Sequence, residues 1–171
     1  MLNREEIAAC IREHKLIEGL IDLDTQLTPN GFDLTVASVA AFEGQGAVDF
    51  SNKERILPQG KELTPKKEAP QDTYGWWQLS PGTYKLKTNE TVTLPKALVA
   101  LAFSRTTLLR MGAFTVHGVW DAGFSGRGEF VLVVANPRGI RLKQNARVAQ
   151  LVFLRIEETA RGYTGMYQQL T

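Results

Sequence analysis

The chain has 171 residues, of which 43% are apolar and 22% charged, and its formal net charge is +2. This length and composition are typical of one soluble globular domain, and they exclude a disordered or collagen-like chain. No apolar run reaches the roughly 20 residues that cross a bilayer, so we expect no membrane partner. The single cysteine, Cys10, cannot form an internal disulfide, which favours a cytoplasmic location.

The charge is unevenly distributed. Residues 101–171 contain nine Lys/Arg and four Asp/Glu, whereas residues 1–100 contain 11 Lys/Arg and 14 Asp/Glu. The second half therefore carries +5 and the first −3. A basic half favours an anionic ligand, although a solvated basic surface explains the same pattern. The two histidines, His14 and His117, are too far apart in sequence to form a local metal-binding motif.

The chain opens with a helix signature. Asn3 is a suitable N-cap, Glu6 follows three residues later, and Leu2 can pack on Ile7 across the first turn. Short apolar segments with β-branched and aromatic residues follow and predict strands. These segments are residues 32–42, 76–79, 83–87, 91–94, 98–103, 130–135, 139–142 and 147–156. Residues 106–111 could form one further helical turn.

Many short strands with little helix predict an all-β fold, either a sandwich or a jelly-roll-like barrel, in a single domain over residues 1–171. Residues 52–72 are polar, with three prolines and several lysines. We expect them to form a long exposed loop. A metal-binding jelly roll would need clustered histidines, which this chain lacks.

Four polar clusters could carry chemistry, but each has a simpler explanation on its own. N-G-F-D-L (30–34) could be a turn, and S-R-T-T (104–107) a strand end or a helix cap. The glycines of G-V-W-D-A-G-F-S-G-R-G-E-F (118–130) could belong to a bulged hairpin. Gln150, in A-R-V-A-Q-L (146–151), could be a satisfied core amide.

Taken in order, the four clusters resemble the trimeric dUTPase and dCTP deaminase superfamily. The patterns of that superfamily are G-x-D-L, G-R-S-S, G-x-I-D-x-x-Y/F-x-G and R-I-A-Q-L. T-N-E (88–90) and the tail G-Y-T-G-M-Y-Q (162–168) extend the resemblance over nearly the whole chain. It implies a distorted jelly roll (β-clip) with a short N-terminal helix, and a homotrimer whose sites lie between subunits.

The resemblance also implies a role for each motif residue. Asp121 is the catalytic base that activates water, and Asp33 anchors a triphosphate-bound Mg²⁺ through water. The side chains expected to donate to the phosphates are Ser104, Arg105, Thr106 and Gln150. The positions expected at the pyrimidine and the deoxyribose are Gly118, Gly123 and Phe124. The tail (157–171) is expected to close over the nucleotide with Tyr163, Tyr167 and Gln168.

The activity that the resemblance favours is dUTP diphosphatase, which hydrolyses dUTP to dUMP and pyrophosphate by water attack on the α-phosphate, as in archaeal-type dUTPases with deaminase-like termini. The expected partners are dUTP and identical subunits, without nucleic acid. Deaminases of the superfamily carry a glutamate ten residues after the motif aspartate, where this chain has Val131. Glu129 lies two positions earlier, on the same face of a strand. A dCTP deaminase or bifunctional enzyme therefore stays open, as does a nucleotide-binding oligomer without chemistry.

Overall fold

A computed structural model describes residues 1–169, and most of them lie in or between β-strands. The helices are α1 (Arg4–His14), α2 (Leu23–Gln26) and α3 (Thr106–Arg110). The strands are β1 (Ile17–Glu18), β2 (Leu27–Thr28), β3 (Gly31–Glu43), β4 (Gln59–Glu62), β5 (Trp76–Leu79), β6 (Gly82–Thr93), β7 (Leu98–Ser104), β8 (Ala113–Val116), β9 (Ser125–Val134), β10 (Ile140–Lys143) and β11 (Arg147–Arg155). Across the described residues, no helix is long and apolar enough to span a bilayer.

The N-terminal helix begins as the sequence predicts. The Asn3 side chain accepts the Glu6 N–H at 2.9 Å, and the Glu6 carboxylate accepts the Asn3 N–H at 2.9 Å. Leu2 and Ile7 are both buried, and the Leu2 N–H donates to the Phe153 carbonyl at 2.8 Å. The capping box therefore fixes the start of α1, while the backbone bond ties it to β11.

Nine strands form one sheet, whose main path runs β7–β11–β3–β6–β9–β8. β1 pairs with β6, and β2 and β4 pair with β3, while β10 and β5 form a separate two-stranded sheet. Every pairing is antiparallel. The prediction of an all-β, jelly-roll-like fold is confirmed. Strands that are adjacent in the sheet, such as β3 and β11, are distant in sequence.

Alternation along β9 gives the sheet two different faces. Gly126, Gly128 and Phe130 are buried, whereas on the opposite face Arg127 is half-buried and Glu129 is exposed. Successive side chains of a strand point to opposite faces. One face therefore packs on the apolar core, and the other carries the charged side chains Arg127 and Glu129.

β6 is one strand where the sequence predicted two. The pairing of β6 with β9 is regular up to Lys87 and resumes at Thr91, so T-N-E (88–90) forms an irregularity inside the strand. Glu90 is fully buried and accepts bonds from Gln26 Nε2 at 2.7 Å and Thr35 N at 3.0 Å. Polar residues typical of turns are accommodated here because buried donors satisfy them.

The exposed segment 52–72 is not continuously irregular. Its residues 59–62 form β4, which pairs with the end of β3 and is exposed along its length. The prediction of an uninterrupted loop is therefore wrong for these four residues. β1, β2, β8 and α2 were also not predicted. In the tail, residues 170–171 lie outside the described residues.

Candidate active site

The chain between β8 and β9 encloses a cavity. β8 pairs with β9 from Ala113↔Val134 to Val116↔Val131, and then the two segments separate. Trp120 instead forms an isolated bridge with Ala100 in β7, through two backbone bonds of 3.0 Å. The resulting cavity has a volume of about 540 Å³. Its lining includes His117, Gly118, Asp121, Phe124, Arg127, Glu129, Val131, Tyr163 and Tyr167.

The glycines of this hairpin serve different purposes. Gly123 has a φ of 83°, and a Cβ there would lie 2.7 Å from the Gly162 Cα in the tail. A Cβ at Gly128 would lie 2.6 Å from the Trp120 ring. At Gly118, in contrast, a Cβ would meet nothing within 4 Å. Two glycines therefore allow close packing within the protein, whereas Gly118 leaves open space beside the cavity.

The tail folds back onto the hairpin of its own chain. The Tyr163 N–H donates to the Ala122 carbonyl at 2.8 Å. The Gln168 side chain accepts the Ser125 N–H and donates to the Gly123 carbonyl, both at 3.0 Å. The Tyr163 ring lies edge-on to Phe124, with centroids 5.6 Å apart. Tyr163 and Tyr167 of the tail line the cavity, whereas Gln168 fixes the tail to the hairpin.

Asp121 is exposed at this cavity, where it follows the buried Trp120. Phe124 lies between Trp120 and Tyr163, and its ring is edge-on to Trp120 with centroids 5.4 Å apart. Val131 and Glu129 both line the cavity. The Glu129 carboxylate lies 3.6 Å from Lys85 Nζ, so it already has a cationic partner.

A second polar cluster surrounds Asp33, and none of its residues lines the cavity. The Asp33 carboxylate lies 2.9 Å from Arg105 Nε and 3.2 Å from Arg147 Nη1, and its side chain is only 2% exposed. Burial raises the pKa of the Asp33 carboxyl above its usual value, and the two arginine charges oppose that rise.

The remaining predicted phosphate-binding residues lie near this cluster. Gln150 is the β11 partner of Asp33 in β3, and its amide donates to Thr28 Oγ1 at 2.7 Å. The Ser104 hydroxyl lies 2.9 Å from the Thr115 carbonyl oxygen. Thr106 begins α3 and is exposed. One chain therefore brings the predicted site residues together in two separate groups.

Asp33 does not fit a metal site within this chain. Its carboxylate is buried and faces two guanidinium groups, which repel a further cation. Among the described residues, no group of three or more His, Cys, Asp or Glu could hold a metal ion. The sequence predicted that Asp33 anchors a magnesium ion, but its surroundings do not form a metal site in this chain. We therefore derive no catalytic step from a metal bound at Asp33.

His117 is a cavity residue that the sequence analysis did not select. Its Nδ1 is buried and has no hydrogen-bond partner, which costs about 1–3 kcal/mol. Burial lowers the pKa of His117 to about 4, so the ring is neutral at neutral pH. His117 is a lone histidine in an apolar stretch and belongs to no sequence motif, so its place in the cavity wall could not be predicted from the sequence.

Three comparisons relate the chain to known proteins. A family model described as dCTP deaminase-like matches residues 1–156. A probable deoxyuridine 5'-triphosphate nucleotidohydrolase of Methanosarcina mazei is 43% identical over 98% of this chain and 96% of its own length. The deoxyuridine 5'-triphosphate nucleotidohydrolase of Methanocaldococcus jannaschii is 34% identical over 85% of this chain and 88% of its own.

Among solved structures, the 2'-deoxycytidine 5'-triphosphate deaminase of Agrobacterium tumefaciens matches with a TM-score of 0.60 and 19% identity. The match covers 91% of this chain and 48% of the deaminase. At this identity the likeness concerns the fold alone.

The two cavity glycines yield a matched test of packing. Gly128→Ala should lower the free energy of unfolding by about 1–3 kcal/mol, because the new methyl group overlaps the Trp120 ring. Gly118→Ala should leave it nearly unchanged, because the same methyl group meets open space. Urea unfolding of both variants checks this; equal destabilisation would contradict the geometry.

Proposed function

Since the chain belongs to the dCTP deaminase-like family, we propose that it is a dUTP diphosphatase, which converts dUTP and water into dUMP and pyrophosphate. Val131 favours a hydrolase over a deaminase, because it lines the cavity at the position ten residues after Asp121. Deamination needs a group that moves a proton at C4 of the pyrimidine, and valine has none. The names of the archaeal relatives support the same activity.

The cavity accepts the nucleoside. The open space at Gly118 lets a pyrimidine approach the main chain to hydrogen-bond distance, about 2.9 Å. Phe124 lies beneath the sugar, where it disfavours a 2'-hydroxyl. Tyr163 and Tyr167 of the tail also line the cavity, and the Tyr163 ring contacts Phe124.

Asp121 is the general base. Its exposed carboxylate orients a water molecule and removes a proton as the water attacks the α-phosphorus, and pyrophosphate leaves. Negative charge develops on the phosphate oxygens in the transition state, and cationic and hydrogen-bonding side chains stabilise it. Arg105, Thr106 and Gln150 are the proposed donors, whereas the Ser104 hydroxyl already donates to the Thr115 carbonyl at 2.9 Å.

These donors reach the triphosphate from a neighbouring subunit. Within one chain none of them lines the cavity, and Arg105 pairs with Asp33 instead, so a complete site needs a second copy. Exposed apolar side chains on β7, β8 and the hairpin support an association of copies at this face. These side chains are Phe103, Phe114, Val116 and Val119. We take the assembly to be a homotrimer.

The activity itself is tested by separating the products formed from dUTP and from dCTP. Asp121→Asn should lower kcat for dUTP by 10² or more, as expected for a lost general base. Asp24→Asn is a matched control, because the Asp24 side chain is 95% exposed and pairs only with Arg4 at the surface. Undiminished turnover by Asp121→Asn would overturn the assigned role, and uracil nucleotides formed from dCTP would favour a deaminase.

Mixing two inactive variants tests whether the site is shared between subunits. Asp121→Asn and Gln150→Ala each impair every site of their own homo-oligomer. In random mixed assemblies, about a quarter of shared sites combine an intact Asp121 with an intact Gln150 from the neighbour. Co-refolding should therefore restore about a quarter of wild-type turnover. A mixture that stays inactive would place the whole site within one chain.

Enzymes of the dUTPase family use a divalent metal, and we propose Mg²⁺, carried by the triphosphate rather than held in advance by the protein. EDTA should abolish turnover, and added Mg²⁺ should restore it. Mg²⁺ alone should not raise the melting temperature, because the described residues contain no preformed cluster of metal ligands. Stabilisation by Mg²⁺ without nucleotide would reveal a resident site.

A further inference from the structure

Arg127 lies in the cavity wall beside an irregular part of β6. The pairing of β6 with β9 is interrupted between Lys87 and Thr91, where β6 has three residues and β9 has only Gly128. The Gly128 N–H donates to the Thr88 hydroxyl at 2.9 Å, and the Thr88 carbonyl accepts Arg127 Nε at 2.6 Å. Irregularities of this kind often re-aim a side chain beside an active site.

The irregular segment is held in place from its buried side. The Thr88 hydroxyl donates to the Glu90 carbonyl at 2.9 Å, and both residues are fully buried. The Glu90 carboxylate in turn accepts bonds from Gln26 and Thr35. Because this network fixes Thr88, its carbonyl gives the Arg127 side chain a rigid anchor point.

Most of the hydrogen-bonding capacity of Arg127 is unused by the protein. A guanidinium group has five N–H donors, and the Thr88 carbonyl takes the one on Nε. Among residues 1–169, the Arg127 side chain makes no other hydrogen bond and no ion pair. The residue is half-buried and lines the cavity. Its two terminal nitrogens therefore remain as donors for a ligand.

The charges in the cavity wall indicate which ligand group these donors suit. The charged side chains in the lining are Lys85, Asp121, Arg127 and Glu129. Lys85 and Glu129 lie 3.6 Å apart, whereas Asp121 and Arg127 have no ion-pair partner within the described part of the chain. A guanidinium without a counter-charge favours an anion, and the phosphates are the anionic part of a nucleotide.

We propose that Arg127 binds the α-phosphate of the substrate, from the same subunit as Asp121. The assignment rests on the proposed function. The Phe124 N–H donates to the Asp121 carbonyl at 3.1 Å, so these two residues close a turn, and β9 begins directly after it. Arg127 then follows Phe124 by about 10 Å along the strand. Asp121 and Arg127 thus reach one ligand in the same cavity, of about 540 Å³.

The position of Asp121 decides which phosphate lies there. Water activated by Asp121 attacks the α-phosphorus, so the phosphate beside this carboxylate is the α-phosphate, while the donors of the neighbouring subunit hold the β- and γ-phosphates. A guanidinium can bind two oxygens of one phosphate with parallel N–H bonds. Arg127 therefore orients the α-phosphate toward the water and stabilises the charge on its oxygens.

The affinities for two small ligands isolate this contact. dUMP carries the α-phosphate alone, and deoxyuridine lacks it. The wild-type protein should prefer dUMP to deoxyuridine, and Arg127→Gln should reduce that preference about 10- to 100-fold, as expected for lost hydrogen bonds to a charged group. The affinity for deoxyuridine should not change. Isothermal titration calorimetry measures each dissociation constant without turnover.

Two further variants control for charge and for folding. Arg127→Lys keeps the charge, but a single ammonium nitrogen cannot reproduce the tether to Thr88 together with a two-pronged phosphate contact. It should retain only part of the preference for dUMP. Arg12→Gln removes the same charge from the exposed side of α1 and should behave as wild type.

Equal weakening of dUMP and deoxyuridine in Arg127→Gln would assign Arg127 to the fold alone and overturn the proposal. A wild-type protein without a preference for dUMP would do the same. Weaker binding of inorganic pyrophosphate in place of dUMP would move Arg127 to the β- and γ-phosphates and also contradict it. If Arg127→Gln does not fold, an undiminished preference in Arg127→Lys would be decisive against the contact. Absence of pyrophosphate release from dUTP by the wild-type protein would instead refute the hydrolase itself.

Discussion

Asp33 lies in β3 between Arg105, which follows β7, and Arg147, which begins β11, and its side chain is 2% exposed. A buried carboxylate requires charged partners, and removing one partner of such a group typically costs about 3–5 kcal/mol. Here the partners join three strands that are neighbours in the sheet. Because two cations meet one anion, the cluster retains a net positive charge, which suits a polyanionic ligand on this side of the molecule.

β7 connects this charged cluster with the cavity. Its Ala100 holds Trp120, the residue before Asp121, and its last residue, Ser104, bonds Thr115 on the way to His117. The Ser104 hydroxyl therefore joins β7 to β8, and its one proton goes to the Thr115 carbonyl. Because Thr115 also contacts His117 Nε2 at 2.8 Å, a continuous set of polar contacts runs from the end of β7 to the cavity.

The sequence predicted the elements that depend on local patterns. The α1 capping box, the strand Trp76–Leu79 and the start of β11 at Arg147 all occur as expected, since caps and apolar alternation are encoded within a few residues. The single strand β6 was predicted as two strands because the buried partners of Glu90, Gln26 and Thr35, are distant in sequence. The same limitation hid the ion pairs of Asp33 and the contact of His117 with Thr115. Both depend on contacts across the sheet that no local motif records.

The register of β9 determines whether Glu129 can occupy the position of Val131 in the cavity. Lys87↔Glu129 and Lys85↔Val131 belong to one uninterrupted run of pairs, and the irregularity of the ladder begins only beyond Glu129. Two residues along a strand are separated by about 6.6–6.8 Å. Glu129 therefore cannot take the place of Val131 without breaking this run, and its carboxylate already lies beside Lys85. The position that needs a proton shuttle for deamination stays apolar, so the cavity favours water attack at phosphorus over chemistry at the base.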